Sequence, residues 1–388
     1  MKKILVTGAS GFLGSHLVEA FMREGRGVVA LVRKSGGQSG QQRMENLFNW
    51  FGLNGSARRY CEIVEGDISQ PGFELDYNTY RSLQARTSEI IHCAANTSFG
   101  EQRRGDVEMA NLAAMKNVLQ FAAGASVSCF HLVSTAFVGS PDQNACKEEI
   151  PERKEFPNVY EETKYLAEKT VRSFCESNGL PWKIYRPSVV YGKSFNGKTF
   201  RFNGLYYPIK TLYLLKKIFL KDLNNGANRS RELGVFREQT GRLFFPIELE
   251  THEDNGINLI PVDYFVKAFL FLYENNGFAK IHHITHPRST SPDTLVSYIS
   301  EYFHLAGITT RNYMLKPKNR RNAMEHLFYS YLGEYHSYLQ DSRKFDASNT
   351  IPVLQASGIH CPELDYPVFK KIMDYAMETN WGKSILPC

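Results

Sequence analysis

A tyrosine and a lysine four residues apart mark the stretch of this sequence best suited to chemistry. Residues 158–169 read as a helix, and Tyr160 and Lys164 would lie on one face of it, about one turn apart. A lysine ammonium beside a phenol stabilises the phenolate and lowers the pKa of the tyrosine from its free value of roughly 10. Such a tyrosine could give or take a proton near neutral pH. Because this spacing also arises by chance on solvated helices, its meaning depends on the surrounding elements.

A glycine-rich turn stands at the beginning of the chain, between a predicted strand and a predicted helix. Residues 2–7 form an apolar run typical of a buried parallel strand, and a helical pattern begins at Leu13. Gly8 permits a tight turn, Gly11 lets the backbone approach a pyrophosphate, and Gly14 lets the helix pack close to the strand. Free amides at the helix start would hold the phosphates. This context predicts a dinucleotide site whose contacts are Thr7, Gly8, Ser10, Gly11, Phe12 and Leu13.

The second predicted strand, over residues 27–33, ends in Arg33 and Lys34 where an acid is common. In NAD-binding proteins an Asp or Glu at this place accepts from the ribose 2′-hydroxyl, whereas an arginine pairs well with the 2′-phosphate of NADP. Arg33 therefore predicts NADP(H) as the cofactor. The alternative is an ordinary pair of basic surface residues at the end of a strand.

Strands and helices alternate through the first half of the chain. Four further apolar runs read as parallel strands: 61–65, 89–95, 129–135 and 182–186. We therefore predict an α/β fold, a doubly wound parallel sheet of the Rossmann type. Asp67, two residues after the third strand, could accept from an adenine amino group or simply form a turn.

The alternation stops before residue 194 and returns near residues 258–290. We predict that residues 1–193, completed by the segments near 258–290, bind the cofactor. A smaller, mostly helical domain of residues 194–257 and 291–388 would bind the substrate. Within it, residues 222–257 read as polar and irregular.

The predicted helix over residues 205–221 combines aromatic side chains with four lysines. It could meet a membrane surface or an acidic carrier protein, or it could pack over the active site. We favour packing, because most amphipathic helices face a core. A second basic cluster consists of Arg311, Lys316, Lys318, Arg320 and Arg321. It could also meet an acidic carrier protein, or it could be ordinary solvated surface.

Composition argues against several classes of protein. Seven cysteines are scattered without a Cys-x-x-Cys spacing, which favours reduced thiols and a cytoplasmic location. His282, His283 and His286 have no carboxylate or cysteine at ligand spacing, so we predict no metal. The net charge of +6 is mild for 388 residues and does not indicate nucleic acid. No apolar run is long enough to span a bilayer, and we expect no signal peptide.

Together these features resemble the extended short-chain dehydrogenase/reductase superfamily. The matching residues occur in the family's order and spacing across the first half of the chain: 7–14, 66–68, 92–95, Asn111, 133–135, Tyr160, Lys164 and 186–188. Within the superfamily, the thioester reductase and fatty acyl reductase ("male sterility") branch is most similar, through segments 94–99, 132–136 and 160–168. Sugar-nucleotide epimerases and dihydroflavonol-type reductases share several of these segments.

The resemblance implies a role for each matched residue. Tyr160 would give its proton to a carbonyl oxygen while the nicotinamide delivers hydride to the carbon. Lys164 would lower the pKa of Tyr160 and hold the nicotinamide ribose. Ser134 would donate a hydrogen bond to the same oxygen, with Thr135 as the alternative, and Asn111 would tether a water behind Lys164. The remaining implied cofactor contacts are Asp67, Ile68, Ala94, Pro187, Ser188 and Val189.

The implied activity is NADPH-dependent reduction of a carbonyl group, with an acyl thioester on CoA or a carrier protein as the substrate. The product would be an aldehyde or, after a second hydride, an alcohol. The alternatives are a ketone- or sterol-type reductase and a sugar-nucleotide epimerase or dehydratase. A non-catalytic NADP-binding sensor would usually lack the tyrosine, lysine or serine. A long apolar tunnel would favour acyl chains, and a compact polar pocket would favour sugars. The oligomeric state is left open.

Overall fold

The computed structural model describes residues 2–140, 145–226, 228–252, 256–275, 279–314 and 320–385. These residues form twelve strands: β1 (Lys3–Thr7), β2 (Val28–Val32), β3 (Cys61–Glu65), β4 (Thr87–His92), β5 (Phe130–Val133), β6 (Trp182–Pro187), β7 (Val189–Tyr191), β8 (Phe236–Arg237), β9 (Leu243–Thr251), β10 (Leu259–Pro261), β11 (Ile281–Ile284) and β12 (Leu305–Asn312).

The same residues form fourteen α-helices: α1 (Phe12–Arg23), α2 (Gly40–Phe51), α3 (Gly55–Arg58), α4 (Tyr77–Arg86), α5 (Arg104–Glu108), α6 (Ala114–Ala123), α7 (Val159–Ser177), α8 (Tyr206–Asn224), α9 (Arg229–Glu232), α10 (Val262–Glu274), α11 (Pro292–Tyr302), α12 (Ala323–Leu332), α13 (Ile351–Ala356) and α14 (Tyr366–Glu378). A π-helical turn, Met109–Ala113, joins α5 to α6.

Seven parallel strands form the central sheet in the order β11-β6-β5-β4-β1-β2-β3, which confirms the predicted doubly wound α/β fold. Strands β1 and β2 pair with Ile4 opposite Val28. Every residue of β2 is buried, as expected for a parallel strand covered on both faces by helices. The strand order reverses between β1 and β4, and this reversal opens a crevice at the carboxyl ends of the strands, where ligands bind in such folds.

A second, three-stranded sheet corrects the prediction that residues 222–257 are irregular. Strand β9 lies in this segment and pairs in parallel with β12 and antiparallel with the short β8. Its burial alternates from residue to residue, so the sequence does carry a period-two pattern. Pro246 is a residue type that disfavours a strand interior, yet it lies beyond the part of β9 that pairs with β8 and opposite a register shift between Ala306 and Ile308. Its missing N–H therefore interrupts little of the ladder.

Helix α8 packs into the hydrophobic core of the second half of the chain. This agrees with the favoured interpretation of residues 205–221 as a packing helix. Its buried side chains are Tyr206, Ile209, Leu212, Leu215 and Phe219. They join residues of β9, β12 and α14 in one cluster. In the described ranges, no helix is long and apolar enough to cross a membrane.

Part of the predicted substrate domain packs against the central sheet domain instead. Cys146 and Phe345 form an isolated parallel bridge. His282 of β11 hydrogen-bonds Thr350 at 3.0 Å, and Leu354 of α13 joins the hydrophobic cluster that contains β1 and β2. The chain from Phe345 to Leu354 therefore packs against the half that forms the central sheet.

The histidines noted in the sequence, and Arg311 and Arg321 of the basic cluster, have structural partners in the described residues. His283 is buried and bonds the Asp346 carbonyl at 2.8 Å. Within the described ranges no three His, Cys, Asp or Glu side chains are grouped to hold a metal ion. Arg311 pairs with Glu250 at 3.1 Å and Arg321 pairs with it at 2.8 Å. Lys316 and Lys318 of the basic cluster lie outside the described residues.

Candidate active site

A cavity of about 1030 Å³ follows the carboxyl edge of the central sheet. Its lining includes the residue that directly follows each of six strands: Gly8 after β1, Arg33 after β2, Gly66 after β3, Cys93 after β4, Ser134 after β5 and Ser188 after β6. Tyr160 and Lys164 also line it. From the sheet edge the cavity continues into the core of the second half of the chain.

Tyr160 stands in the first turn of α7, the helix that brings the tyrosine and lysine to the sheet edge. Asn158 caps this helix by accepting from the Glu161 amide at 2.9 Å. Burial raises the pKa of Tyr160 to about 12; a hydrogen bond with Thr135 opposes this rise, and the charge of Glu161 adds to it. The expected lowering of this pKa by Lys164 is not met, because in the described structure burial outweighs the neighbouring groups.

Lys164 lies one turn further along α7 and reaches the end of β5. Its Nζ donates to the Val133 carbonyl at 2.8 Å, and the residue is only 3% exposed. Burial lowers the pKa of Lys164 to about 8, and the negative charge of Glu168 opposes this shift. At neutral pH the side chain is thus a cation that gives up its proton more readily than an exposed lysine.

The two neighbouring hydroxyl groups after β5 differ in what they contact. The Ser134 hydroxyl is buried and has no hydrogen-bond partner in the described structure. Thr135 bonds Tyr160 and also accepts from the Phe137 amide at 3.3 Å. Side chains of adjacent residues on an extended backbone point to opposite sides, so only one of the two can face the tyrosine. In the described structure Thr135 contacts the tyrosine, whereas the sequence favoured Ser134; which of the two hydroxyls meets a carbonyl group stays a prediction.

Asn111 ties the loop after β4 to α7. Its Oδ1 accepts from the Asn96 amide at 2.7 Å, and its Nδ2 donates to the Asn96 carbonyl at 3.0 Å and to Thr163 at 2.9 Å. These bonds occupy both donors of the side-chain amide, so Asn111 fixes the loop beside the site. Its role in holding a water behind Lys164 stays a prediction. It lies in the π-helical turn, a distortion that is frequent at functional sites.

The glycine turn brings the backbone of three segments into close contact. Gly8 has a φ of +68°, and a Cβ at this position would lie 2.5 Å from the Ala94 nitrogen. A Cβ on Gly14 would lie 2.3 Å from the Gly8 carbonyl oxygen. Helix α1 begins after Gly11 with no side-chain cap and no acidic residue in its first turn. Its first amides therefore fit the pyrophosphate of a dinucleotide.

Three arginines gather at the cavity end that follows β2. Arg33, Arg43 and Arg201 all line the cavity, and Arg43 donates to the Arg33 carbonyl at 2.7 Å. Burial lowers the pKa of Arg43, and the charges of Arg33 and Arg201 lower it further. No carboxylate in the described part of the chain pairs with any of the three, whereas Lys34 pairs with Glu65 at 3.2 Å. Such a concentration of positive charge suits a dianionic phosphate.

The other cofactor residues implied by the resemblance separate into two groups. Thr7 and Pro187 lie outside the cavity lining: Thr7 is fully buried and bonds His92 at 2.8 Å, and Pro187 is a buried residue of β6. Asp67 does line the cavity, and its Oδ1 also accepts from Ser69 as a turn residue would. The remaining predicted cofactor contacts all line the cavity: Ser10, Gly11, Phe12, Leu13, Ile68, Ala94, Ser188 and Val189.

Away from the sheet edge the cavity enters a chamber that the sequence did not reveal. We call it the aliphatic chamber and define it by Leu212, Leu249, Leu295, Ile299 and Ile308. All five side chains are buried, and they come from α8, β9, α11 and β12. Each would read as an ordinary core residue in its own segment, so no local pattern marks them. Their shared property fits an aliphatic chain and offers no hydrogen bond to a sugar.

A comparison of the whole chain with known families decides its classification. The male sterility protein family model matches residues 6–269, which is more than half of the chain. The chain belongs to the male sterility protein family. It is accordingly an NAD(P)-dependent oxidoreductase of the extended short-chain dehydrogenase/reductase type, in the branch that contains thioester reductases.

Relatives of this male sterility family protein include much longer chains. It is 24% identical over 391 residues to a linear gramicidin synthase of Brevibacillus parabrevis, covering 97% of this chain and 7% of that protein. It is 25% identical over 305 residues to fatty acyl-CoA reductase wat of Drosophila melanogaster, covering 69% of this chain and 53% of that one. This chain therefore spans a small part of the first relative and about half of the second.

The fold is also that of a solved reductase domain. The terminal R domain from the myxalamid PKS-NRPS biosynthetic pathway superposes with a TM-score of 0.76 at 22% identity. The match covers 99% of this chain and 93% of that domain, so both the sheet and the second core have counterparts there.

Proposed function

We propose that this protein reduces acyl thioesters with NADPH. The observation that carries the proposal is the continuity of one cavity from the glycine turn, past Tyr160 and Lys164, into the aliphatic chamber. A dinucleotide and an acyl chain could share this cavity with a carbonyl group between them. Its volume of about 1030 Å³ lies at the upper end of the range for small-molecule sites, roughly 300–1,000 Å³.

The side chains at the sheet edge suit proton transfer to a carbonyl oxygen. When bound, a nicotinamide supplies hydride to the carbonyl carbon. Tyr160, whose pKa of about 12 keeps it protonated, donates its proton to the oxygen. Thr135 donates a hydrogen bond to the same oxygen as negative charge develops there. Lys164, one turn away and with a pKa of about 8, can return a proton to the tyrosine. The hemithioacetal formed from a thioester expels the thiol and leaves an aldehyde, and a second reduction would give the alcohol.

The arginine cluster supports NADPH over NADH. Arg33, Arg43 and Arg201 lie at the cavity end that follows β2, where a dinucleotide in this fold places its adenosine ribose. A 2′-phosphate there would accept charge-assisted hydrogen bonds, whereas the 2′-hydroxyl of NADH would leave three cations close together without a counter-charge.

The relatives support a thioester carried on CoA or on a carrier protein. One is named a fatty acyl-CoA reductase, and two others come from peptide or polyketide synthesis systems. Helix α8 exposes Lys217 and Lys221 beside the second core, which would suit an acidic carrier.

Consumption of NADPH with a series of acyl thioesters tests the proposal. We expect turnover with acyl-CoA thioesters whose chains can fill the aliphatic chamber, and release of free thiol in step with NADPH oxidation. Turnover of a ketone or a nucleotide sugar, with no thioester accepted, would overturn the substrate assignment. A preference for NADH would overturn the cofactor assignment.

A further inference from the structure

A short segment with two tyrosines closes the cavity beside the proposed proton donor. We call Gly333–Leu339 the tyrosine wall, because Tyr335 and Tyr338 both line the cavity. The ring of Phe99 lies 5.9 Å from that of Tyr160, 5.1 Å from that of Tyr335 and 5.2 Å from that of Tyr338. A single aromatic ring therefore separates the wall from Tyr160.

Glu161, the residue after Tyr160, is fully buried and links α7 to the wall. Arg343 donates to its two carboxylate oxygens at 2.8 and 2.9 Å, and Arg153 donates to it at 3.1 Å. The Tyr338 hydroxyl donates to Oε1 of the same carboxylate at 3.0 Å. A buried ion group of this kind costs much desolvation, and the best-attested use of such groups is to fix one arrangement of neighbouring segments.

Tyr338 also contacts the cap of the helix that carries Tyr160. Its hydroxyl accepts from Asn158 Nδ2 at 3.0 Å, while Asn158 Oδ1 accepts from the Glu161 amide at 2.9 Å. One hydroxyl thus joins the N-cap and the first-turn carboxylate of α7. Tyr160 lies between Asn158 and Glu161 in the chain, so the Tyr338 hydroxyl holds a residue on each side of it.

The same two arginines also hold the loop that follows Thr135 in the chain. Arg343 donates to the Phe137 carbonyl at 2.8 Å, and Arg153 donates to the Gly139 carbonyl at 3.0 Å. The two arginines that pair with the Glu161 carboxylate therefore join three segments: the start of α7, the loop after β5, and the chain that follows the wall.

We propose that Glu161 is a positioning residue that holds the tyrosine wall at a set distance from Tyr160 and so determines the width of the passage for the reacting carbonyl group. This inference rests on the proposed function, because the passage matters only if a carbonyl substrate reaches Tyr160. Glu162 provides the contrast: it faces outward, is 29% exposed at its side chain, and pairs with Arg104 at 2.8 Å.

Tyr338→Phe is the cleanest test, because it keeps the ring in the aromatic cluster and removes only the hydroxyl. Loss of the bonds to Glu161 and Asn158 should raise KM for the carbonyl substrate about three- to tenfold. The dissociation constant of NADPH, measured by fluorescence, should stay within about twofold, because the wall faces the substrate side. Glu161→Gln is the more severe change, because it removes the charge of the carboxylate itself. If the glutamine variant does not fold, Tyr338→Phe still tests the proposal.

Glu162→Gln is the matched control and should leave both constants unchanged. A variant that merely loses folded protein would show a lower kcat with both constants unchanged, and this result for Tyr338→Phe would overturn the positioning role. The assays use an aldehyde as well as the thioester as substrate. A failure of the proposed function can then be distinguished from a failure of the role proposed for Glu161. Wild-type protein inert toward both would overturn the proposed function, whereas wild-type turnover with an unchanged KM in Tyr338→Phe would overturn only the role of Glu161.

Discussion

The two ends of the candidate active-site cavity differ in how the sequence encodes them. The nucleotide end depends on backbone, since Gly8 and Gly14 leave no room for a Cβ and therefore must stand at fixed positions in one short segment. The aliphatic chamber depends only on apolar bulk, and Leu212 and Ile308 reach it from elements far apart in the chain. Binding through the backbone leaves a local pattern in the sequence, whereas binding through buried aliphatic side chains leaves none.

Tyr160 and Lys164 line the cavity where the two ends meet, so single substitutions can separate the contributions of the ends from that of the junction. Each substitution should change the constant that belongs to its own part of the cavity and spare the others.

Tyr160→Phe should have the largest effect, since it removes the proton donor at the junction. We expect kcat to fall by about 10²–10⁴, the usual contribution of a general acid. NADPH affinity should change little, because the phenol is only one of many groups that line the nucleotide end. Stopped-flow absorbance and NADPH fluorescence measure the two quantities. A variant with near-wild-type kcat would remove the tyrosine from the mechanism.

Thr135→Ala should lower kcat by about 10²–10³, the cost of losing one donor to a developing oxyanion. Ser134→Ala is the matched control, and it should stay within a few-fold of the wild type because its hydroxyl has no partner in the described structure. Steady-state kinetics of both variants decide between the two hydroxyls. The reverse ranking would restore Ser134 as the carbonyl contact.

Arg43→Ala probes the nucleotide end alone. Loss of charge-assisted bonds to a 2′-phosphate should weaken NADPH binding about 10- to 100-fold and leave NADH binding unchanged. Lys34→Ala is the control, because Lys34 already pairs with Glu65 and should matter much less. Equal losses for both cofactors would mean that Arg43 does not read the 2′-phosphate.

Leu212→Phe probes the aliphatic chamber alone and should have the smallest effect. The larger side chain should lower kcat/KM for long acyl chains about three- to tenfold relative to short ones, within the range expected for a few methylene groups. Leu214→Phe lies on the same helix but is 46% exposed and should leave the chain-length profile unchanged. A profile that does not shift in Leu212→Phe would place the acyl chain elsewhere.

The central sheet follows from the sequence because each parallel strand is an apolar run followed by a turn that the chemistry requires. Strand β9 escaped prediction because Pro246 hides an alternating pattern, and its pairing with β12 depends on residues far along the chain. The choice between Ser134 and Thr135 depends on which side of an extended backbone faces Tyr160, and sequence order does not specify this.

The arginine cluster shows the same division within one binding site. Arg33 ends a strand in a recognisable position, whereas Arg43 lies on a helix surface and Arg201 on a distant loop, where arginines are ordinary. Asn111 could be found by its place in the pattern, but its bonds to Asn96 and Thr163 come from tertiary packing. Residues that a local structure requires can be recognised in the sequence. The distant residues that they contact become known only from the fold.

The fate of the hydride is the decisive measurement for this protein, because hydride transfer requires both ends of the cavity to meet at one carbonyl group. The protein would be given an acyl thioester and NADPH deuterated at the transferable position, and the products would be analysed by mass spectrometry and thiol titration. We expect a single deuterium on the carbonyl carbon of the aldehyde, with one free thiol released for each aldehyde formed. Thiol release without deuterated aldehyde, or deuterium transfer only to a ketone or sugar, would contradict it.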